Sequence, residues 1–279
     1  MSVELGPAIP GPSALGGSPR RFVYLALTLA VTEFKLRFFG SALGYLWQLV
    51  RPLMLFGVLY LVFTQFVKVG GRVPFYPVVL LGNIVLFTFF QEGTGAVGSV
   101  VDRESLVRKI HFPRMAIPVS VVLTAGFNLL LNLCVVMIFA LASGVHPRWS
   151  WLQAPVLVAL LAVLVLGLAM LLSALYVRYR DIKPIWEVVL QALFYATPVI
   201  YAVEALGVSD RIRELIMMNP IAAILEQFRH AVIDPGAPTA AEAAGGTLHL
   251  LVPLGVLVAA FVVGYRVFDR AAPRIAEEL

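Results

Sequence analysis

The chain has 279 residues, 60% of them hydrophobic and only 13% charged, with a mean hydropathy of +0.91 and a formal net charge of +5. A soluble domain carries about 25% charged residues, so one water-soluble core cannot hide this much apolar surface, and lipid is the expected solvent. The basic balance suits membrane topology and anionic lipid; a nucleic-acid reading needs a solvated basic domain, which the sequence lacks.

Residues 1–19 are rich in Gly, Pro and Ser and hold one charge, Glu4. They read as a disordered cytoplasmic tail without a cleavable signal. Residues 21–39, RFVYLALTLAVTEFKLRFF, are apolar but carry Glu33, Lys35 and Arg37 near their end. They predict an amphipathic helix along the inner interface, or else an extension of the first span. Six apolar runs follow, at about 41–67, 75–98, 114–142, 151–177, 185–203 and 248–268. Each approaches the roughly 20 residues that cross a bilayer as helix, and none alternates as barrel strands do. The fold class is an all-α polytopic membrane protein with six transmembrane helices in a single domain over 20–270, with 271–279 as a cytoplasmic tail.

With the N-terminus inside, fourteen Lys and Arg fall in inner segments and six in outer ones. That bias puts both termini in the cytoplasm. VRYRDIKP, residues 177–184, is then a short cytoplasmic turn whose Pro184 suits the first turn of span five. Between spans two and three, DRESLVRKIHFPR predicts a short amphipathic helix started by Asp102 and ended by Pro113. Leu106 and Ile110 lie on its apolar stripe; Arg103, Arg108 and Lys109 lie off it. It is an anchor on lipid or a knob offered to a partner. In the long segment 204–247, Ser209 or Asp210 caps a helix to Met218, Asn219-Pro220 turns the chain, and Ile221, Ile224, Leu225, Phe228 and Val232 recur at helical spacing. Both helices are too short to span, and they predict a re-entrant or interfacial hairpin on the outer side. Residues 234–246 form a flexible lead into span six.

Chemistry-bearing motifs are absent. No P-loop run exists. Gly93 to Gly98, GTGAVG, match a dinucleotide fingerprint but follow a span rather than a strand, so close helix packing is expected there. His111, His146, His230 and His249 share no metal-ligand spacing, and Cys134 is expected to be a small buried residue. Arg51, Glu92 and Glu187 are too few for a proton-coupled carrier, and no internal repeat supports an inverted-repeat transporter. A membrane-embedded glycolipid transferase would need a carboxylate or His cluster at the interface. The chain reads as a non-catalytic membrane body without an engine.

Three stretches carry a family resemblance. FGSALGYLWQLVRPLMLFGVLYLVF, with Ser41, Leu43-Gly44, Leu46-Trp47 and Pro52, resembles the first span of type-2 ABC exporter permeases. VRYRDIKPIWEVVLQALFYATPVIY resembles that family's run from an Arg-Asp turn into a span ending Thr197 to Tyr201, and MNPIAAILEQFRHAVI its Asn-Pro stretch before the last span. The likeness covers about 20–270 and is strongest to exporters of O-antigen, teichoic acid and galactan in the bacterial inner membrane. It implies a homodimer with two ATPase subunits, which hold ATP and magnesium; no cofactor is expected in this chain. It implies an interface helix bearing Glu33, Lys35 and Arg37, and a coupling helix at 102–113 bearing Glu104, Leu106, Arg108, Lys109 and His111. It further implies an outer gate around Met218, Asn219, Pro220 and Phe228. Spans one and five would line a channel for a lipid-linked glycan, with Tyr45, Trp47, Phe194 and Tyr195 offered to sugar faces and Lys35, Arg37 and Arg51 to a diphosphate. Export of a lipid or hydrophobic drug is the alternative within the family.

Overall fold

The computed structural model describes residues 15, 18–37, 44, 46–66, 73–105 and 112–275. Tyr45, Leu106, Arg108, Lys109, His111 and both tails lie outside them. No strand occurs among the described residues. The principal helices are α1 (Pro19–Arg37), α2 (Leu46–Leu61, continued by a π turn to Phe66), α3 (Tyr76–Thr94, continued by a 3-10 turn to Gly98), α4 (Ala116–Ala142), α5 (Gln153–Arg178, preceded by a 3-10 turn from Trp149) and α6 (Ile182–Ala196). They are followed by α7 (Asp210–Met217), α8 (Pro220–Phe228, continued by a π turn to Ile233), α9 (Ala240–Ala243) and α10 (Leu251–Ala271).

Five of these, α2, α3, α4, α5 and α10 with their flanking turns, are long and apolar enough to cross a membrane. The sixth expected span differs. Its helix α6 has 15 residues, about 22 Å at 1.5 Å per residue, and stops at Ala196. Thr197 turns extended, at φ −95 and ψ 146, and Pro198 cannot donate to a continuing helix.

Helix α3 carries apolar residues on every face, with Asn83, Thr88, Gln91 and Glu92 among its polar exceptions, and such a helix must be enclosed by neighbours. Val78, Leu80, Ile84, Phe87 and Phe90 are all essentially inaccessible. α2 rests on this axis directly and also on α4, where Phe56 meets Phe139 edge-on at 5.8 Å. α6 leans on it through Phe194 against Phe87 at 5.3 Å and Trp186 against Phe90 at 6.3 Å. Both are loosely held: only Gln48 and Pro52 of α2 are buried, and no residue of α6 is.

The tightest crossing joins α5 to α10. A Cβ placed on Gly167 would lie 2.5 Å from Phe261 Cα, and one on Gly264 would overlap the Gly167 carbonyl oxygen. These two glycines let the backbones touch, as small residues do in membrane helix pairs. Gly93 makes room instead for the Val165 side chain of α5, which fits the packing expectation for GTGAVG, whereas Gly95 faces open space.

At one end of the bundle Val100, Met115, Ile117, Met170, Val177, Phe268 and Ile275 form a second core, joined by Phe22 and Leu25 of α1. Arg103, Arg114, Arg178, Arg180, Lys183, Arg270 and Arg274 gather on the elements ending here, which we call the basic end. Arg114 is buried and donates to the Ala272 carbonyl, capping α10. Arg178 and Arg180 rest over the Tyr179 and Tyr176 rings at 5.6 and 5.2 Å. α1 follows α4 away from this end: Thr124 Oγ1 donates to Ala30 O at 3.3 Å and Phe34 meets Phe127 at 5.8 Å. One expectation fails. Cys134 is exposed, in an open apolar cleft with Val31, Phe34 and Phe127; in lipid an exposed apolar side chain carries no penalty.

Candidate functional site

Three groups of polar side chains interrupt the apolar bundle. The first holds the break after α6. Ending a helix inside an apolar bundle strands carbonyls that water cannot reach. Asn83 Nδ2 of α3 donates to Pro198 O at 3.0 Å and Val199 O at 3.3 Å, and Tyr76 Oη donates to Ile200 O at 2.9 Å. Asn219 does two jobs. Its Nδ2 donates to Thr197 Oγ1 at 3.0 Å, while its Oδ1 accepts from Ile221 N at 3.0 Å and caps α8. Replacing Asn83 by Leu leaves two buried carbonyls without donors, at about 1–3 kcal/mol each, offset in part because Asn83 Oδ1 is itself buried without a partner. Asn83→Leu is expected to lower the thermal midpoint of the detergent-purified chain by about 4–8 °C, the shift that about 2 kcal/mol gives at this size. An unchanged midpoint would mean that water serves the turn instead.

The second group is a notch where α2, α3 and α4 meet. Gln48, Arg51, Pro52, Thr88, Glu92, Asn128 and Asn132 surround a cavity of about 10 Å³, room for about one water molecule. Asn128 Nδ2 donates to Glu92 Oε2 at 2.7 Å, which orients the amide and leaves Asn128 Oδ1 buried without a partner. Pro52 has no N–H to offer the Gln48 carbonyl one turn back. Arg51 is exposed at the rim. The third group lies at the opposite end, the cap end. Arg229, 3% exposed, stands 2.6 Å from Glu204, 3.2 Å from Glu226 and 3.9 Å from Asp234.

The proposed channel residues separate. Trp47, Arg51 and Tyr195 are on the open faces of α2 and α6, whereas Phe194 is packed between Phe87 and Tyr195. In the hairpin Met218 is exposed, Pro220 is buried, and Phe228 lies fully in the core beside Gly82. Lys35 is exposed and Arg37 closes α1. Glu33 pairs instead with Arg103 at 2.5 Å, and Arg103 also donates to Ser120 Oγ at 3.2 Å. Glu104 and Ser105 are helical. Asn83, Tyr76, Asn128 and Arg229 were missed. Lone amides in apolar helices, and a Glu and Arg three apart on an apolar stripe, were the available signals.

Residues 24–233 match the family model described as ABC-2 type transporter, 210 of 279 residues. The chain belongs to the ABC-2 type transporter family. This ABC-2 chain is thus a multi-pass membrane protein, and the matched stretch takes in the first two polar groups and all of the third but Asp234, while leaving α10 outside. It is 29% identical over 217 residues to the O-antigen export system permease protein RfbA of Myxococcus xanthus, covering 77% of this chain and 83% of that one. It is 26% identical over 262 residues to an RfbA of Klebsiella pneumoniae, covering 91% and 95%. A further Klebsiella pneumoniae RfbA is 25% identical over 212 residues, covering 75% and 80%.

One titration follows from the cap-end cluster of this ABC-2 chain. Burial pushes the Glu226 carboxyl up, to about 7, with Arg229 pulling it down, Glu204 adding to the rise and Arg213 opposing it. The folded chain therefore holds this proton more tightly than the unfolded chain does. The stabilisation is complete below the unfolded value of 4.5 and is lost as pH climbs through about 7. Thermal stability is expected to fall from about pH 5 to about pH 8, and Glu226→Gln to flatten that slope. A slope that survives Glu226→Gln would assign the proton elsewhere.

Proposed function

We propose that this chain is the non-catalytic membrane subunit of an ATP-driven exporter that moves a lipid-linked polysaccharide across the bacterial cytoplasmic membrane. Two copies enclose the path. The observation that carries this is the unpartnered side of the bundle: α2 and α6 flank the buried axis α3 yet expose Trp47, Arg51, Met54, Val58, Ile185, Val188 and Tyr195. A second copy facing that side makes a channel with aromatic rings for sugar faces and Arg51 for a diphosphate, with Lys35 and Arg37 toward its entrance. The names of the relatives favour a glycan over a free lipid or drug.

In this reading both termini are cytoplasmic, the basic end faces the cytoplasm, and α6 with the turn at 197–202 makes the sixth crossing. The hairpin α7–α8 enters from outside as the gate. Residues 102–113, with Glu104, Leu106, Arg108, Lys109 and His111, dock on a separate ATPase subunit that binds ATP and magnesium. Its closure shifts the helices as near-rigid bodies.

The test is a mild-detergent pull-down of the tagged chain from its native host with mass spectrometry of its companions. An ATPase with a Walker motif, at about one copy per chain, is expected. Recovery of the intact folded chain without one would sink the exporter reading and leave 102–113 as a lipid anchor.

A further inference from the structure

The Arg229 cluster is not needed to explain a channel, and its geometry is uneven in an informative way. Arg229 opens the π turn after α8, and Ala231, Val232 and Ile233 of that turn are fully buried. Ser150 Oγ donates to Ala231 O at 2.5 Å and fixes the turn to the start of α5. π turns of this kind cluster at functional positions. Glu226 sits one helical turn before Arg229, on the same rigid element, and is 3% exposed. Glu204 belongs to a different element, the short 3-10 turn Val203–Leu206 that follows the break in α6, and its side chain is 35% exposed. Asp234 sits just past the π turn. Its Oδ1 accepts from Gly236 N at 3.0 Å, but its Oδ2 stands 3.9 Å from Arg229, too far for a hydrogen bond.

We propose that Arg229 is the switch cation of the outer cap: it holds Glu204 in this state and is passed to Asp234 when the segment after α6 moves away. When Glu204 leaves, the buried Arg229 guanidinium keeps only Glu226 within hydrogen-bond reach, and its other nitrogen is left uncompensated, which is destabilising. A cap tied to Arg229 by Glu204 alone would therefore be locked. Asp234 supplies the second arrangement. It already stands at the outer limit of an ion pair and is close enough to take the vacated side of the fork by a small side-chain motion, but it forms no hydrogen bond to Arg229 until then. Glu226 remains partner to the cation throughout. The cluster thus has two discrete states of similar charge balance, which is what a bistable gate requires. This deepens the exporter reading by naming what releases the gate.

The test reads motion of the 203–206 turn directly. Val203 is 1% exposed; Val203→Cys in a Cys134→Ser background reports its opening through labelling by a membrane-impermeant maleimide on the full chain in liposomes. Glu204→Gln is expected to raise the labelling rate by about tenfold, equivalent to about 1.4 kcal/mol. Asp234→Asn, which keeps the bond to Gly236 N, is expected to lower the rate below that of the parent, because the open state loses its carboxylate and the closed state loses little. A merely structural cluster would move both variants in the same direction. Equal directions, or no acceleration in Glu204→Gln, would overturn the proposal. The assay needs neither an ATPase nor a glycan, so opposite shifts in a chain that recruits no ATPase would sink the exporter reading and leave the switch standing.

Discussion

Replacing Gly264 by Ala is expected to separate α5 from α10 and cost at least the upper end of the about 1–3 kcal/mol typical of overpacking. Most overpacked sites relax by rotating a side chain. Here the new methyl group would meet the Gly167 carbonyl oxygen, and a methyl on Gly167 would meet the Phe261 backbone. Backbone cannot rotate away, so the helices must part along their most extensive contact. The thermal midpoint in detergent should fall by about 6–12 °C, the shift that about 3 kcal/mol gives at this size, and Gly264→Leu should yield no monodisperse protein. Gly95→Ala is the internal control, because its Cβ would meet nothing within 4 Å. A Gly264→Ala chain as stable as its parent would show that α10 docks elsewhere.

Reversing Arg103 to Glu is expected to abolish most transport while leaving the fold intact. The Arg103–Glu33 pair is partly exposed, with side chains 23% and 30% accessible, so its worth to stability is at most about 1 kcal/mol. Its position is what matters. Arg103 lies at the start of the proposed docking segment 102–113, and it ties that start to α1 through Glu33 and to α4 through Ser120. Arg103→Glu sets two carboxylates against each other at that joint. ATPase stimulation by the assembled complex should drop by about tenfold, the factor for about 1.4 kcal/mol of lost coupling, with a thermal midpoint no more than about 4 °C below that of the parent. The double swap Glu33→Arg with Arg103→Glu should recover most of it. Failure of the swap to rescue would assign Arg103 to a contact with the partner rather than to the joint.

How much was legible follows from where each signal lives. The five long helices and the turn at Asn219-Pro220 were readable because hydropathy and turn chemistry are local, whereas the expected side-chain cap at Ser209 is not made and the cap falls on Asn219 instead. The end of α6 at Ala196 was not, because hydropathy does not fall at Thr197-Pro198. The side chain that makes the break tolerable, Asn83, lies 115 residues from Pro198 in sequence. Charge counting treated Arg114 and Arg229 as loop cations at the two membrane faces. A count contains no burial, and both are buried with specific partners. Sequence alone offers both Phe194 and Tyr195 to the channel, yet successive helix positions point about 100° apart, and only Tyr195 reaches the open face. The hairpin was found by its length; the ion cluster beneath it needed contacts between segments.

The burial of α3 also bears on how such a chain can change over generations. Its side chains touch neighbours on every side, so nearly every substitution there is felt by the whole bundle. α2 and α6 bury almost nothing within the chain, and their outward residues are free of that constraint. If those faces line the path as proposed, a lineage can redraw the surface that meets its polymer while the shaft behind stays fixed. Saturation mutagenesis scored for expression alone should map this division, with intolerance concentrated on α3 and near-neutrality on the outward positions of α2 and α6.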